Sequence, residues 1–192
     1  MSTATTQTTT RWTIADLEVL PRVEGTREEI IEGELFVSSQ PDWRHQETSD
    51  NLVVELKLWV RKTGRGKVLS APGVIFDDEN AVAPDVVWIS PERADQVLGD
   101  DGKLHAAPDL VIEILSPGTR NVRRDRETKL RLYSVRGVRE YWIADWDNRS
   151  LQVHRRENAR LSLTATLSAE DELSSPLLPG FKVAVSRLFP AA

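Results

Sequence analysis

The stretch Leu110-Val111-Ile112-Glu113-Ile114-Leu115 decides the fold of this chain, because five of its six residues are apolar. An apolar run without alternation is typical of a strand that is covered on both faces. It predicts a β-sheet with other elements packed on each side. Glu113 lies in the middle of the run, so one covered face must hold a carboxylate. Because an unpaired buried charge is costly, we expect a cation, a metal ion or a donor network beside Glu113.

The sequence around this strand predicts an alternation of helices and strands. The fold class that we expect is α/β (α+β), with a mixed central β-sheet flanked by helices and extra antiparallel strands. The predicted elements are helices at 14–20, 42–62 and 121–135, a hairpin at 27–38, strands at 67–70, 73–76, 85–90, 110–115 and 141–144, and an antiparallel pair at 150–154 and 161–167.

Length, charge and composition exclude several classes of protein. The chain has 192 residues, no cysteine and a formal net charge of -5. These values exclude disulfides, a cysteine zinc site, a thiol nucleophile and a globally basic nucleic-acid binder. We find no apolar run of about 18 residues and no signal peptide, so we expect no membrane partner and a cytoplasmic location. Residues 1–11 are predicted to be a disordered tail, and residues 12–192 a single domain.

Lys129 lies at the centre of the apolar arc of the helix predicted at 121–135. At 100° per residue it falls within roughly 20° of Val122. A lysine there points toward the sheet, and one strand–helix connection separates it from Glu113. The same pattern fits a structural buried ion pair, or a lysine whose charged end reaches solvent along its stem.

Asp85 begins a neighbouring apolar strand directly after Pro84. An aspartate in this position is often only a turn former. With Glu113 and Lys129, however, it completes a set of two carboxylates and one lysine. Two carboxylates suit Mg²⁺ or Mn²⁺, which polarise a phosphate and activate water, and a lysine can orient that water or stabilise charge at phosphorus. The three residues therefore predict a metal-dependent nuclease site.

Several stretches, in the same order and spacing, resemble the Uma2 family, a branch of the PD-(D/E)XK nuclease superfamily formerly called a domain of unknown function. They extend from about residue 13 to residue 190. The matching stretches are 29–35 (EIIEGEL), 44–46 (RHQ), 83–88 (APDVVW), 107–117 (APDLVIEILSP), 125–133 and 137–143 (GVREYWI).

The resemblance implies a restriction-endonuclease-like core and a role for each site residue. Asp85 and Glu113 would be the metal-binding acids, and the backbone carbonyl of Ile114 would complete the contacts to Mg²⁺ or Mn²⁺. The wider superfamily places its lysine where this chain has Leu115. In the Uma2 branch the lysine is on the next helix, which matches Lys129. The implied activity is endonucleolytic hydrolysis of DNA, with a homodimer as the default assembly.

Two further residues are candidates for the same site. Glu34 follows the hairpin turn and can add a third acid, or it can be an exposed strand residue. His45 lies near the start of the long helix and can contact a phosphate or position water. It can equally be a polar residue of the first helical turn.

The segment from Arg120 to Arg139 is basic, with eight basic residues against two acidic ones. Such a patch can follow a phosphate backbone, or it can be a solvated helix face neutralised by acids from elsewhere. The candidates for nucleic-acid contact are Arg120, Arg123, Arg124 and Arg126.

The chain contains six tryptophans. Trp88 and Trp142 lie within apolar strands, which favours core packing. Trp43 and Trp146 lie in polar surroundings, where they can stack on bases or make a surface or dimer contact.

Three functions fit these patterns. The first is the metal-dependent DNA endonuclease. The second is a DNA-binding or regulatory module with a weak or inactive site. The third is a structural homo-oligomer in which Glu113 and Lys129 only pair with each other.

Overall fold

The computed structural model describes residues 10–21 and 23–191. The helices are α1 (Ile14–Val19), α2 (Trp43–Thr63), α3 (Ala94–Val97), α4 (Thr119–Arg123) and α5 (Leu130–Arg136), with a π-helical segment (Arg124–Lys129) that joins α4 to α5, and 3₁₀ turns at Pro91–Arg93 and Val185–Leu188. The strands are β1 (Thr26–Ile31), β2 (Glu34–Ser39), β3 (Lys67–Ser70), β4 (Val74–Asp77), β5 (Asn80–Val82), β6 (Val86–Ile89), β7 (Leu110–Ile114), β8 (Glu140–Asp145), β9 (Ser150–Glu157), β10 (Arg160–Leu167), β11 (Glu172–Ser174) and β12 (Lys182–Ala184).

The central sheet has six strands in the order β10-β9-β8-β7-β6-β3. Strands β7 and β8 are parallel, and the other neighbouring strands are antiparallel. A parallel pair needs a crossover, and here the chain makes it through α4, the π-helical segment and α5. Strand β7 is buried along its whole length, as its apolar run predicts.

The two faces of the central sheet pack against different partners. On one face, Ile112 packs with Leu52 and Leu56 of α2. On the other face, Val111 packs with Leu132 of α5 and with residues of a second sheet. Since successive side chains of a strand alternate between faces, Glu113 shares the face of Val111 and looks toward the crossover helix.

The second sheet has four antiparallel strands in the order β2-β1-β5-β4. Its β1–β2 hairpin turns at Glu32 and Gly33, which both have positive φ (53° and 75°). Two such residues are typical of the tight turns that match strand twist. The predicted hairpin is confirmed, and through Ile31 and Phe36 this sheet packs on the same core as α5.

The long helix α2 has well-defined ends. Asp42 caps its first turn by accepting hydrogen bonds from the backbone N–H groups of Arg44 and His45. Gly64 ends it in the left-handed conformation, with φ of 68°. This start fixes His45 in the first turn, directed at the sheet.

The crossover helix differs from its prediction. A regular α-helix was expected at 121–135, but a π-helical segment occupies its centre. Arg124, Asp125 and Lys129 are all buried in this segment. Irregular turns of this kind are frequent at functional sites. A wheel at 100° per residue places Asp125 near Lys129, but it does not show that Arg124 is buried with them.

The predicted fold class is confirmed, with a mixed central sheet, flanking helices and extra antiparallel strands. Residues 1–9 of the predicted tail lie outside the described residues, and the division into a tail and one domain stays a prediction. Among the described residues, no helix is both long and apolar enough to cross a membrane.

Candidate active site

Glu113 lies on β7 and is almost completely buried. Its Oε1 accepts hydrogen bonds from Nζ of Lys129 at 3.0 Å and from the hydroxyl of Tyr133 at 2.8 Å. The π-helical segment contributes the lysine and α5 contributes the tyrosine. The predicted meeting of Glu113 and Lys129 is therefore present in the structure.

Lys129 is held by further acids behind Glu113. Its Nζ lies 2.9 Å from Oε1 of Glu29 and 3.8 Å from Oδ1 of Asp125. Its side chain is 1% exposed. Burial alone would lower the pKa of Lys129, but Glu113, Glu29 and Asp125 together hold that pKa above its ordinary value. Lys129 is therefore a permanent cation.

Sequence reasoning missed Glu29 and Asp125. Glu29 is buried on β1, and its Oε1 also accepts from the backbone N–H of Ala83 at 2.9 Å. Alternation on β1 places Glu29 on the same face as the core residue Ile31, and this signal was available. Asp125 lies four residues before Lys129, a spacing that places both on one helix face.

Arg124 balances the negative charges of Asp125 and Glu29. Its Nε donates to Oδ1 of Asp125 at 2.9 Å, and its Nη1 lies 3.8 Å from Oε2 of Glu29. Burial opposes its charge, yet the carboxylates of Asp125 and Glu29 raise its pKa. Arg124 was predicted to contact nucleic acid, but the structure buries it in this network.

Asp85 lies at the entrance to β6 and has three donors. Nη1 of Arg27 is 3.1 Å from its Oδ1, and the backbone N–H of Ile114 donates to its Oδ2 at 2.8 Å. Nε2 of His45 lies 3.3 Å from the same Oδ2. Burial alone would raise the pKa of Asp85, but His45, Arg27 and the Ile114 N–H lower it to about 2. Asp85 is thus held in its ionised form.

Asp85 and Glu113 line one cavity of about 440 Å³. Ile114 and His45 line the same cavity. The lining also includes Arg27, Arg124 and Ser116. Ser38 and Ser39 of β2 line the cavity as well. The carboxylates therefore face a space large enough for a phosphate group. Lys129 lies behind Glu113. It is not one of the described residues that line the cavity.

The pKa of Glu113 differs in direction from that of Asp85. Burial raises it, Lys129 opposes the rise, and the charges of Asp85, Asp125 and Glu29 add to it, so the pKa of Glu113 reaches about 8. Burial also raises the pKa of Tyr133, which keeps its hydroxyl a donor to Glu113. Two adjacent carboxyls with opposite shifts are typical of a functional site.

The charge balance shows whether a divalent cation fits. The cluster contains four carboxylates (Glu29, Asp85, Glu113 and Asp125) and three cations (Arg27, Arg124 and Lys129). The carboxyl groups outnumber these cations by one, and Glu113, with a pKa raised to about 8, is the group that keeps a proton at neutral pH. A cation that binds beside Asp85 and Glu113 would replace that proton.

The donor set limits which metal fits. Among the described residues, no group of three or more His, Cys, Asp or Glu side chains is arranged to hold a metal by itself. Two carboxylates and a backbone carbonyl suit Mg²⁺, which keeps several waters and takes ligands from substrate phosphates. Asp85, Glu113 and Ile114 line one cavity and carry oxygen ligands of the kind that such an ion takes.

The other predicted site residues lie outside the cavity. Glu34 is exposed, and its carboxylate lies 3.7 Å from Arg120. Glu29, on the partner strand of the same hairpin, is the acid that reaches the buried cluster. Arg123 is exposed and pairs with Glu127 at 3.0 Å. Arg126 pairs with Asp145 at 3.2 Å.

The tryptophans divide as predicted between core and surface. Trp88 and Trp142 are buried. Trp43 is 60% exposed at the start of α2, and Trp146 is half-buried just after β8.

A solved structure described as a "putative nuclease belonging to DUF820" from Anabaena variabilis has the same fold, with a TM-score of 0.72 at 19% identity over 92% of this chain and 97% of that chain. A family model named Uma2 and described as "Putative restriction endonuclease" matches residues 14–186. The chain therefore belongs to the Uma2 family, and the predicted resemblance is confirmed. No curated protein matches the chain.

Proposed function

We propose that this protein is an endonuclease that depends on Mg²⁺ or Mn²⁺ and hydrolyses phosphodiester bonds of DNA. One observation carries the proposal: Asp85 and Glu113, with opposite pKa shifts, face the same open cavity in front of a buried lysine. A structural ion pair between Glu113 and Lys129 requires neither the cavity nor Asp85 in its lining.

The residues of the chain have distinct roles in this proposal. Asp85 and Glu113 hold the divalent ion together with the carbonyl of Ile114. Arg27, His45 and the Ile114 N–H fix the orientation of the Asp85 carboxylate. The ion, when bound, polarises a scissile phosphate and lowers the pKa of a bound water.

Lys129 acts through Glu113 in this scheme. Its charged end is buried and contacts Glu29 and Glu113, so it does not abstract a proton from water. It orients the Glu113 carboxylate and balances its charge, which makes it a positioning residue. Position 115, directly after β7, is an apolar leucine, and the cation of this site lies on the π-helical segment.

A cleavage panel tests the proposal. Wild-type protein is incubated with supercoiled plasmid, linear duplex, single-stranded DNA and RNA, in Mg²⁺, Mn²⁺ or EDTA. We expect nicking or cleavage of DNA with metal, no cleavage in EDTA, and loss of cleavage in Glu113→Gln. Glu140→Gln is the matched control, because Glu140 is a buried glutamate on the adjacent strand. Inert wild-type protein in every condition would contradict the proposal, as would cleavage by Glu113→Gln at the wild-type rate.

The assembly in this proposal is a homodimer, since restriction-type folds commonly act on two-fold DNA sites as dimers. Sedimentation equilibrium of the full chain, with and without DNA, measures it directly. A monomer in both conditions would remove the dimer from the proposal and leave the chemistry in place.

A further inference from the structure

A tryptophan–arginine–tryptophan arrangement lies beside the catalytic cavity and has no role in the proposed chemistry. The guanidinium carbon of Arg44 lies 4.9 Å from the ring centroid of Trp43 and 5.3 Å from that of Trp146. We call these three residues the aromatic platform. Trp43 and Arg44 open α2, and Trp146 follows β8, so the platform links two elements.

The platform is held in place from one end. The indole N–H of Trp146 donates to the backbone carbonyl of Leu115 at 3.0 Å, which ties it to the end of β7. Arg44 is further anchored to Asp42 at 3.6 Å. Trp43, by contrast, leaves 60% of its surface exposed. A fixed base with one large exposed ring can receive a flat ligand at low entropic cost.

The platform is next to the proposed cleavage site. Trp146 lines a second cavity of about 470 Å³ together with Pro117, Val122 and Arg126. Ser116 lies in the lining of this cavity and in that of the catalytic cavity. On the α2 side, His45 and Gln46 of the catalytic cavity directly follow Arg44 in the first turn. A chain that passes over Ser116 can therefore reach both cavities.

The charged surface of the crossover helix gives a second, independent observation. The arginines expected to follow a phosphate backbone each have a carboxylate partner within the protein: Arg120 with Glu34, Arg123 with Glu127, Arg124 with Asp125, and Arg126 with Asp145. Binding of duplex DNA depends strongly on free cations that displace counterions. The acids beside these arginines lower the net positive charge of this surface, so stacking on an aromatic ring would add to the affinity that its charge supplies.

We propose that the aromatic platform stacks on an unpaired nucleobase, and that the substrate class of this site is DNA with a single-stranded segment at the cleaved bond. The inference rests on the proposed function and adds its substrate class. Bases inside a duplex are covered on both faces, so an exposed indole stacks on bases that are unpaired. Arg44 contributes a positive charge beside the ring, where the phosphate of the same nucleotide would lie.

Binding in EDTA tests the inference independently of cleavage. The probes are a fluorescein-labelled single strand, a blunt duplex of the same sequence and a duplex with a single-stranded tail. Trp43→Ala should weaken binding of the single strand and the tailed duplex by about tenfold, as expected for the loss of one stacked base. Blunt-duplex binding should change by less than about twofold. Trp43→Phe, which keeps an aromatic ring, should recover most of the affinity.

Leu58→Ala is the matched control, since Leu58 is an exposed apolar residue of the same helix, about 22 Å along its axis from Trp43. It should leave all three affinities unchanged. Unchanged single-strand binding in Trp43→Ala would overturn the inference, as would an equal loss for single strand and duplex. A shift from dimer to monomer in Trp43→Ala, with single-strand affinity retained, would assign the platform to a contact between two copies and also overturn it.

The two proposals fail in different ways. Inert protein in the cleavage panel, combined with a Trp43-dependent preference for single strands in EDTA, rejects the nuclease and keeps the platform. Metal-dependent cleavage of blunt duplex at the same rate in wild type and Trp43→Ala, without a preference for single strands, keeps the nuclease and rejects the platform.

Discussion

Glu113 and Glu140 are both buried glutamates on the parallel strands β7 and β8, and their surroundings differ. Oε1 of Glu140 accepts from the indole N–H of Trp142 at 2.9 Å and from Nε of Arg155 at 3.3 Å. Its Oε2 accepts from the hydroxyl of Ser175 at 2.6 Å. Glu140 therefore has one cation and two neutral donors, and no negative charge is left over in this group of four residues.

Glu113 shares its cations with other acids. Lys129 also contacts Glu29 and Asp125, and Arg124 pairs with the same two residues. Glu113, the acid of this cluster whose pKa is raised to about 8, is the one that faces a cavity with Asp85. The difference shows how two buried acids of one sheet can be told apart. Glu140 is enclosed and balanced by Arg155, whereas Glu113 lies at a cavity and has more acids than cations around it.

Replacement of Lys129 should have the largest effect on stability. Lys129→Met removes a central cation and leaves Glu29, Glu113 and Asp125 to repel one another in a buried site. We expect a loss of about 3–5 kcal/mol in the free energy of unfolding without metal, which is typical for breaking a buried pair. Urea denaturation measures it.

The matched change at the other glutamate is Arg155→Met. Arg155 is partly exposed, and Glu140 keeps the donors Trp142 and Ser175. We expect a loss of no more than about 1–2 kcal/mol. Equal losses of stability in Lys129→Met and Arg155→Met would mean that Glu113 and Glu140 have equivalent surroundings. That result would contradict the difference between the two glutamates.

Mg²⁺ should stabilise the protein through Glu113 and not through Glu140. At a Mg²⁺ concentration ten times its Kd, one bound ion adds about 1.4 kcal/mol to the free energy of unfolding. Thermal unfolding with and without Mg²⁺ should show this gain in wild type and Glu140→Gln and not in Glu113→Gln. A gain that survives in Glu113→Gln would place the ion elsewhere.

The smallest expected effect on stability is at His154, a buried group that has no charged partner among the described residues. It lies on β9 beside Tyr141, and neither ring nitrogen has a hydrogen-bond partner among the described residues. Burial lowers its pKa below the ordinary value of 6.5. The folded state thus favours neutral His154, and its contribution to stability is lost as the pH falls below 6.5 and through the folded pKa.

His154→Phe should remove this part of the acid sensitivity. The difference in urea midpoint between the variant and wild type should grow in favour of the variant as the pH is lowered from 7 to 5. A constant difference over that range would show that His154 is protonated equally in the folded and unfolded states.

The sequence alone predicts much of the fold and the front of the site. The apolar run of β7 indicates a sheet covered on both faces, and the helical position of Lys129 places it opposite Glu113. The contact of Glu29 with Lys129 escapes such reasoning because these residues are distant in sequence, whereas the spacing of Asp125 and Lys129 already places both on one helix face. The burial of Arg124 escapes it because a π-helical segment changes which side chains share a face. The ion pairs of Arg120 and Arg126 depend on acids from β2 and β8, which only the assembled fold brings near.

Unfolding free energies of Glu113→Gln and Glu140→Gln, measured side by side without metal at pH 7, test the central claim most directly. The pKa of Glu113 is raised to about 8, so Glu113 is largely protonated at pH 7, and we expect Glu113→Gln to be at least as stable as wild type. For Glu140→Gln we expect a loss of about 1–3 kcal/mol, because an amide replaces the acceptor of the Arg155 ion pair and leaves buried donors poorly matched. Equal destabilisation of both variants would contradict the account, since Glu113 would then be a structural residue like Glu140.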